Sequence, residues 1–110
     1  MNFPCRSGFN SSFYHFFKKS NDEILGELVK NQDGSVETTQ RDAWRFQIKL
    51  LKDLLSHFSS GHVLFEFTIP RIGKRVDNIL IIKNNIFVIE FNVGSEKYLN
   101  QDINEINKDY

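Results

Sequence analysis

The chain has 110 residues, of which 40% are hydrophobic and 25% charged, a composition that suits one small globular domain and excludes a disordered chain. Its 14 basic and 14 acidic residues cancel, which excludes a positive field over the whole molecule, so contacts with nucleic acid have to come from local basic clusters. With one cysteine, no signal peptide and no apolar run of about 20 residues, we expect a cytoplasmic protein without a membrane partner.

The first 20 residues are rich in Phe, Ser and Asn but follow no sustained period. We predict an irregular lead-in over residues 1–20 and a single domain over residues 21–110. A short helix is predicted at the start of that domain, with Ser20 or Asn21 as its cap. Its apolar stripe consists of Ile24, Leu25 and Leu28.

A second, longer helix is predicted after residue 38. Thr39 and Asp42 resemble a capping box, and apolar residues then recur at the spacing of one buried helix face. These residues are Trp44, Ile48, Leu51, Leu55 and Phe58.

Three short runs rich in β-branched and aromatic residues follow and predict strands over residues 62–69, 75–82 and 86–92. Asn84 and Asn85 are predicted to be the two loop residues of a type I′ hairpin turn. A polar helix is predicted over residues 96–110. The order α-α-β-β-β-α indicates a small α/β or α+β domain with a three-stranded antiparallel sheet packed by helices.

Two acidic residues interrupt the second and third β runs. With the predicted turn, Ile79 faces Glu90 and Asp77 faces Asn92, so Asp77 and Glu90 are diagonal neighbours on one face of the sheet. Two such carboxylates can hold one Mg²⁺, which completes its ligands with waters and phosphate oxygens. The remainder of that face is apolar and is expected to lie under a helix: Ile79, Ile81, Ile86 and Val88.

A structural interpretation of these acids stays open beside the metal site. Asp77 can be an exposed residue at a strand end that pairs with Arg75 or Lys74, and Glu90 can be an outward glutamate on a solvated face. Glu66 is expected to be an outward, structural residue of this kind. In either case the basic residues Arg71, Lys74 and Arg75 lie beside the acids, where they can hold phosphates of DNA or RNA.

Several segments together carry a family resemblance. The run RIGKRVD, a hydrophobic hairpin and the run VIEFNVG resemble the D…(D/E)-x-K signature of the PD-(D/E)XK, or restriction-endonuclease-like, nuclease superfamily. With ILGELV, TQRDAW and FEFTIP, the chain is similar to the N-terminal nuclease-like domain of bacterial proteins that carry a Schlafen-type DNA/RNA helicase domain. The similarity covers about residues 20–110.

The resemblance implies a restriction-endonuclease-like fold that hydrolyses phosphodiesters of DNA or RNA with Mg²⁺ or Mn²⁺. It assigns Asp77 and Glu90 as metal ligands and Glu27 as an assisting helix carboxylate, although a solvated helix glutamate is an equal alternative for Glu27. A helicase domain or subunit is an expected partner.

Two departures from the family pattern affect these expectations. The family's lysine falls at Asn92, which supplies no positive charge, so Lys97 or Lys74 is the candidate substitute. The family domain also continues into at least one further strand, so we expect a truncated copy with an open sheet edge that allows homodimerisation. The alternatives to an enzyme are a non-catalytic module for nucleic-acid binding or assembly, and a gene remnant.

Overall fold

The computed structural model describes residues 7–91 and combines helices with one antiparallel sheet. The sheet order is β1-β2-β3-β4, with each pair antiparallel. This architecture confirms the expected mixed α+β class, whereas the helix predicted over residues 96–110 lies outside the described residues. The elements are β1 (Phe9–Ser12), α1 (Phe13–Lys18), α2 (Asn21–Lys30), α3 (Thr38–Leu55), β2 (His62–Thr68), β3 (Arg75–Ile82) and β4 (Asn85–Ile89).

Residues 9–18 are part of the fold, so the prediction of an irregular lead-in is wrong for this segment. Phe9 in β1 pairs with Phe65 in β2, and Phe16 in α1 is fully buried among aromatic rings. A strand of four residues passes directly into a helix of six. Neither the alternation of a strand nor the repeat of a helix continues long enough here to be recognised in the sequence. For this reason β1 and α1 were not predicted.

The predicted start of α2 is confirmed. The Ser20 hydroxyl accepts a hydrogen bond from the Glu23 backbone N–H at 3.1 Å, and the Glu23 carboxylate accepts one from the Ser20 N–H at 3.2 Å. This reciprocal pair is a capping box that satisfies two free donors at the helix end. The hydrogen bonds from Ser20 lower the pKa of Glu23.

Replacing Ser20 by alanine is expected to lower the free energy of unfolding by about 1 kcal/mol, because an N-cap acceptor is lost. Urea denaturation measures this difference. Ser59→Ala, at an exposed serine in the loop between α3 and β2, is the matched control and is expected to change little. Equal losses in the two variants would show that the capping box contributes nothing to stability.

The apolar stripe of α3 is buried as predicted, but both helix ends differ from the prediction. Glu37 precedes the first turn without a side-chain capping bond, so the expected capping box of Thr39 and Asp42 is wrong. Phe58 lies beyond the last turn and is 40% exposed. None of the helices in residues 7–91 has the length and apolar character needed to cross a bilayer. The stripe residues that join the core are Trp44, Ile48, Leu51 and Leu55.

The β3–β4 hairpin turns one residue earlier than predicted. Ile82 pairs with Asn85, so Lys83 and Asn84 are the loop residues. Lys83 has a φ of 57°, and Asn84 is not in the positive-φ region, which is inconsistent with the expected type I′ turn. The register therefore shifts by two residues, and Ile79 faces Val88 instead of Glu90. Because this shift is even, the paired residues of β3 and β4 keep their predicted alternation between the two faces.

The helices pack on the face of the sheet opposite to the predicted one. Asn78 and Leu80 of β3 are buried, and Leu80 belongs to the core formed with the helices. On the other face, Ile81, Ile86 and Val88 are 36%, 69% and 56% exposed. The expectation that these aliphatic residues lie under a helix is thus wrong within the described residues. Both faces of β3 are apolar in sequence, so the pattern alone does not select the buried one.

Candidate functional site

Asp77 and Glu90 lie at the open end of the β3–β4 hairpin, next to the last ladder pair. The last ladder pair is Asn78 with Ile89, and one further step places Asp77 directly opposite Glu90. The Phe91 backbone N–H donates to Asp77 Oδ2 at 2.7 Å, which holds this carboxylate at the hairpin end. The observed register therefore places the two residues opposite each other instead of in the diagonal arrangement expected from the sequence.

The electrostatics of Asp77 record its burial and its acidic neighbour. Burial raises the pKa of the Asp77 carboxyl, the hydrogen bond from Phe91 lowers it, and the negative charge of Glu90 raises it further. Glu90 is exposed, and a half-buried carboxylate with a second carboxylate beside it is stabilised by a nearby cation. The pair thus has the negative charge that attracts a cation.

Glu66 in β2 adds a third acid to this end of the sheet. Its neighbours pair as Phe65 with Asn78 and Phe67 with Val76, so Glu66 lies opposite Asp77. Its φ of 53° interrupts the normal alternation of the strand, and its side chain is only 8% exposed. The indole N–H of Trp44 donates to Glu66 Oε1 at 3.1 Å. The prediction of an outward Glu66 is wrong, because the unusual backbone turns the carboxylate towards Trp44 on α3.

Burial also raises the pKa of Glu66, and the charge of Asp77 acts in the same direction, whereas Trp44 and Arg75 lower it. Glu66 interacts with Asp77, and Asp77 interacts with Glu90. The three acids therefore form a row across β2, β3 and the residue after β4.

Glu66→Gln is expected to raise the free energy of unfolding at pH 7. Because the folded pKa is raised, the folded state keeps a proton that the unfolded glutamate loses above its ordinary value of 4.5, so stability falls as pH rises through this window. Glutamine keeps an acceptor for Trp44 and does not ionise. Denaturation at several pH values measures the free energy of unfolding. We expect it to fall less steeply with rising pH in the variant than in the wild-type chain.

The control for this experiment is Asp53→Asn, at an exposed acid on α3, which is expected to leave the decline unchanged. In Glu66→Gln the free energy of unfolding is still expected to fall somewhat as pH rises, because the pKa of Asp77 is raised as well. Identical pH profiles for Glu66→Gln and the wild-type chain would contradict the burial of an ionisable group at this position.

The basic loop between β2 and β3 lies beside the row of acids. Backbone hydrogen bonds from Ile69 to Lys74 at 2.8 Å and from Gly73 to Ile69 at 2.9 Å close the loop. Lys74 Nζ lies 4.0 Å from Glu90 Oε1, and Arg71 is exposed on the same loop. Asp77 makes no ion pair with Arg75 or Lys74 among residues 7–91. Lys74 thus lies next to Glu90, whereas Asp77 has no ion pair with the basic residues of this loop in the described range.

The other candidate residues are placed differently. The ammonium group of Lys19 binds the Glu27 carboxylate, and Glu27 is not among the charges that shift the pKa of Asp77. The structure therefore does not join Glu27 to the Asp77–Glu90 pair. Asn92 and Lys97 lie outside the described residues.

The acids fit a metal with few protein ligands. Within the part of the chain that the structure describes, no group of three or more His, Cys, Asp or Glu side chains is arranged to hold a metal ion. Mg²⁺ needs only one or two carboxylates when waters and substrate phosphates fill its other positions. Mn²⁺ accepts the same oxygen ligands. The absence of a third acidic ligand in this part of the chain is therefore compatible with the Mg²⁺ or Mn²⁺ expected from the sequence.

A pocket of about 890 Å³ adjoins Asp77 and was not predicted. It lies between the segment before α3, the first half of α3 and the ends of β3 and β4. Its lining residues are Gln32, Ser35, Val36, Glu37, Thr39, Gln40, Asp42, Ala43, Phe46, Gln47, Asp77 and Phe91.

Gln47 is the most unusual residue of this pocket. It is 3% exposed, and its Oε1 is buried without a hydrogen-bond partner in the described range, residues 7–91. An unsatisfied buried acceptor costs about 1–3 kcal/mol. The sequence does hold a signal for Gln47, because it follows Trp44 by three residues and so places a polar side chain on the buried stripe of α3.

Comparison of the chain with models of protein families, with curated proteins and with solved structures gives no match. Its function is therefore inferred from the residues of the site and their geometry.

Proposed function

We propose that the chain is a metal-dependent, nuclease-like domain that binds nucleic acid and hydrolyses phosphodiesters. Asp77 and Glu90 hold the metal, and the basic loop holds phosphates. The observation that carries this proposal is the position of Asp77 and Glu90 one step beyond the last ladder pair of the hairpin, where the charge of Glu90 raises the pKa of the half-buried Asp77. A structural role requires no such repulsion, whereas a bound cation relieves it.

The order of elements supports the finer fold assignment. The helix α3 is followed by β2, β3 and β4, with one acid inside β3 and the other directly after β4. In the restriction-endonuclease-like superfamily, which the chain resembles, the metal ligands are expected on two successive strands in the same way. A bound Mg²⁺ or Mn²⁺ activates a water and neutralises charge on the scissile phosphate.

The basic loop supplies the other half of the site. The exposed side chains of Arg71, Lys74 and Arg75 donate charge-assisted hydrogen bonds to phosphate oxygens and position the strand. Lys74 also stands beside Glu90 at 4.0 Å. It is thus the residue among the described ones that best replaces the lysine of the family pattern, since Asn92 carries no charge.

A second candidate function rests on the limited ligand set. No third acid joins Asp77 and Glu90 as a metal ligand among residues 7–91, and the family's lysine is replaced at Asn92. A non-catalytic module that binds nucleic acid through Arg71, Lys74 and Arg75 is consistent with both observations. Its binding is expected to be independent of metal and to weaken steeply with salt.

Binding and cleavage of labelled single- and double-stranded DNA and RNA test the proposal. We expect binding and cleavage in Mg²⁺ or Mn²⁺ and loss of cleavage in EDTA. Asp77→Asn and Glu90→Gln are expected to abolish cleavage, whereas the control Asp53→Asn retains it. The two variants remove charge from the metal site but not from the basic loop.

The outcomes separate the two candidate functions. Binding that persists in EDTA, without cleavage, and that disappears when Arg71, Lys74 and Arg75 are neutralised supports the non-catalytic module. Cleavage that survives in Asp77→Asn and Glu90→Gln excludes these acids as the metal ligands. An absence of nucleic-acid binding under all conditions would contradict both functions.

A further inference from the structure

The face of the sheet opposite the helices carries a continuous aliphatic surface. Leu64, Ile79 and Val88 face one another in a row across β2, β3 and β4. Ile81 and Ile86 form the next row, towards the hairpin turn. In the described residues Ile81, Ile86 and Val88 are exposed. We call these five residues the outer patch. Neighbouring exposed aliphatic side chains, unlike single ones, mark an interaction surface.

The chain leaves the sheet beside the outer patch and has the length to cross it. β4 is an edge strand that ends at Ile89. Residues 92–95 can span up to about 14 Å when extended, more than the roughly 10 Å between packed layers. A helix over residues 96–110 is about 22 Å long, close to the approximately 26 Å of β3 with its eight residues.

The sequence of residues 96–110 places apolar and aromatic side chains on one side of such a helix. Four of them recur at intervals of four, three and four residues, which is the spacing of a single helix face. Ser95 precedes this run and suits the N-cap. A helix of this length is marginal in water by itself and requires a surface on which to pack. The four stripe residues are Leu99, Ile103, Ile106 and Tyr110.

We propose that residues 96–110 form this helix and dock its apolar stripe on the outer patch. A tethered segment is favoured over a second copy of the chain, because a short linker gives an effective concentration in about the millimolar range. Five aliphatic residues are also far fewer than the roughly 20–30 residues that each partner contributes to a stable protein interface. The inference is independent of the proposed nuclease function, since it involves neither Asp77 nor Glu90.

Cysteine cross-linking in the full chain tests this docking. The only cysteine of the sequence, Cys5, is first removed by Cys5→Ser. Val88→Cys is then combined in turn with Leu99→Cys, Ile103→Cys or Ile106→Cys, and dilute protein is treated with a short bis-maleimide. At least one pair is expected to cross-link within one chain, as detected by mass spectrometry.

The matched control combines Val88→Cys with Gln101→Cys. Gln101 lies in the same segment but on the opposite side of the predicted helix, so the linker and the distance along the chain are nearly the same. This pair is expected to cross-link at least about tenfold more slowly than the best stripe pair, because docking raises the effective concentration of the stripe alone.

Urea denaturation gives an independent measure of the same contact. Ile103→Ser is expected to lower the unfolding midpoint, whereas Asn104→Ser, away from the stripe, leaves it unchanged. In a chain that carries Ile86→Ser and Val88→Ser, Ile103→Ser is expected to have little further effect, because its contacts are already lost. The outer-patch variants are expected to fold, since both side chains are exposed in residues 7–91.

The outcomes are distinct. Equal cross-linking of Gln101→Cys and the stripe positions, or a loss in Ile103→Ser that Ile86→Ser and Val88→Ser do not reduce, would overturn the proposal. Cross-links that join two chains would overturn it as well and would show that a second copy covers the outer patch.

Discussion

Replacing Phe16 by alanine is expected to lower the free energy of unfolding by about 3–5 kcal/mol, the usual loss for a fully buried aromatic residue. Phe16 is 0% exposed and contacts the rings of Phe9 and Phe65 at centroid distances of 6.3 and 6.0 Å. A domain of this size has a total stability of only about 5–15 kcal/mol. Urea denaturation is expected to show a large fall in midpoint, or an unfolded variant.

Tyr14→Ala is the control for this experiment, since Tyr14 belongs to the same helix but is 61% exposed. It is expected to change the free energy of unfolding by less than about 1 kcal/mol. Similar losses in Tyr14→Ala and Phe16→Ala would contradict the placement of residues 9–18 in the core. The result therefore tests the part of the fold that the sequence least predicts.

Replacing Lys74 by glutamine is expected to lower the metal-dependent cleavage rate by about 10²–10³-fold, the typical effect of losing one electrostatic stabiliser of the transition state. Lys74 is the basic residue in contact with Glu90, and Asn92 cannot supply its charge. Single-turnover cleavage at saturating protein measures the rate without the contribution of binding.

Arg71→Gln is the matched control in the same loop, and it is expected to weaken nucleic-acid binding while preserving the rate at saturation. Introducing Asn92→Lys into Lys74→Gln is expected to restore cleavage, because it returns the lysine to the family position. A wild-type rate in Lys74→Gln would show that Lys74 acts in binding alone and does not replace the family's lysine.

Long amphipathic segments were the part of the fold that the sequence predicted well. The stripe of α3 and the cap of α2 depend on local spacing and local hydrogen bonds, which the chain itself carries. The strand β1 and the helix α1 did not fit either period, because each is too short. Their positions depend on tertiary contacts, such as the pairing of Phe9 with Phe65.

The chemistry of the candidate site stays a prediction, whereas the hairpin ladder tests part of its expected geometry. The parity of a hairpin survives a shift of two residues, so the expected alternation holds as far as the last ladder pair, Asn78 with Ile89. The exact pairing did not follow from the sequence, since the positive φ of Lys83 moved the turn. The side of the sheet that the helices cover was also misjudged, because β3 carries aliphatic residues on both faces.

Glu66 and the pocket were outside the reach of sequence patterns. Alternation in β2 predicts an outward Glu66, and only the φ of 53° at that residue changes its direction. Gln47 is buried because α3 presents it to a space formed by three separate segments of the chain. Both features depend on long-range packing, which local periodicity does not encode.

Calorimetric titration with Mn²⁺ and Mg²⁺ is the most direct measurement of the Asp77–Glu90 pair. One divalent ion is expected to bind per chain, with affinity that rises with pH because the raised pKa of Asp77 makes metal compete with a proton. Asp77→Asn and Glu90→Gln are each expected to weaken binding at least about tenfold, and Asp53→Asn to leave it unchanged. Absence of divalent-ion binding, or binding with equal affinity in all three variants, would contradict a metal site at this hairpin end.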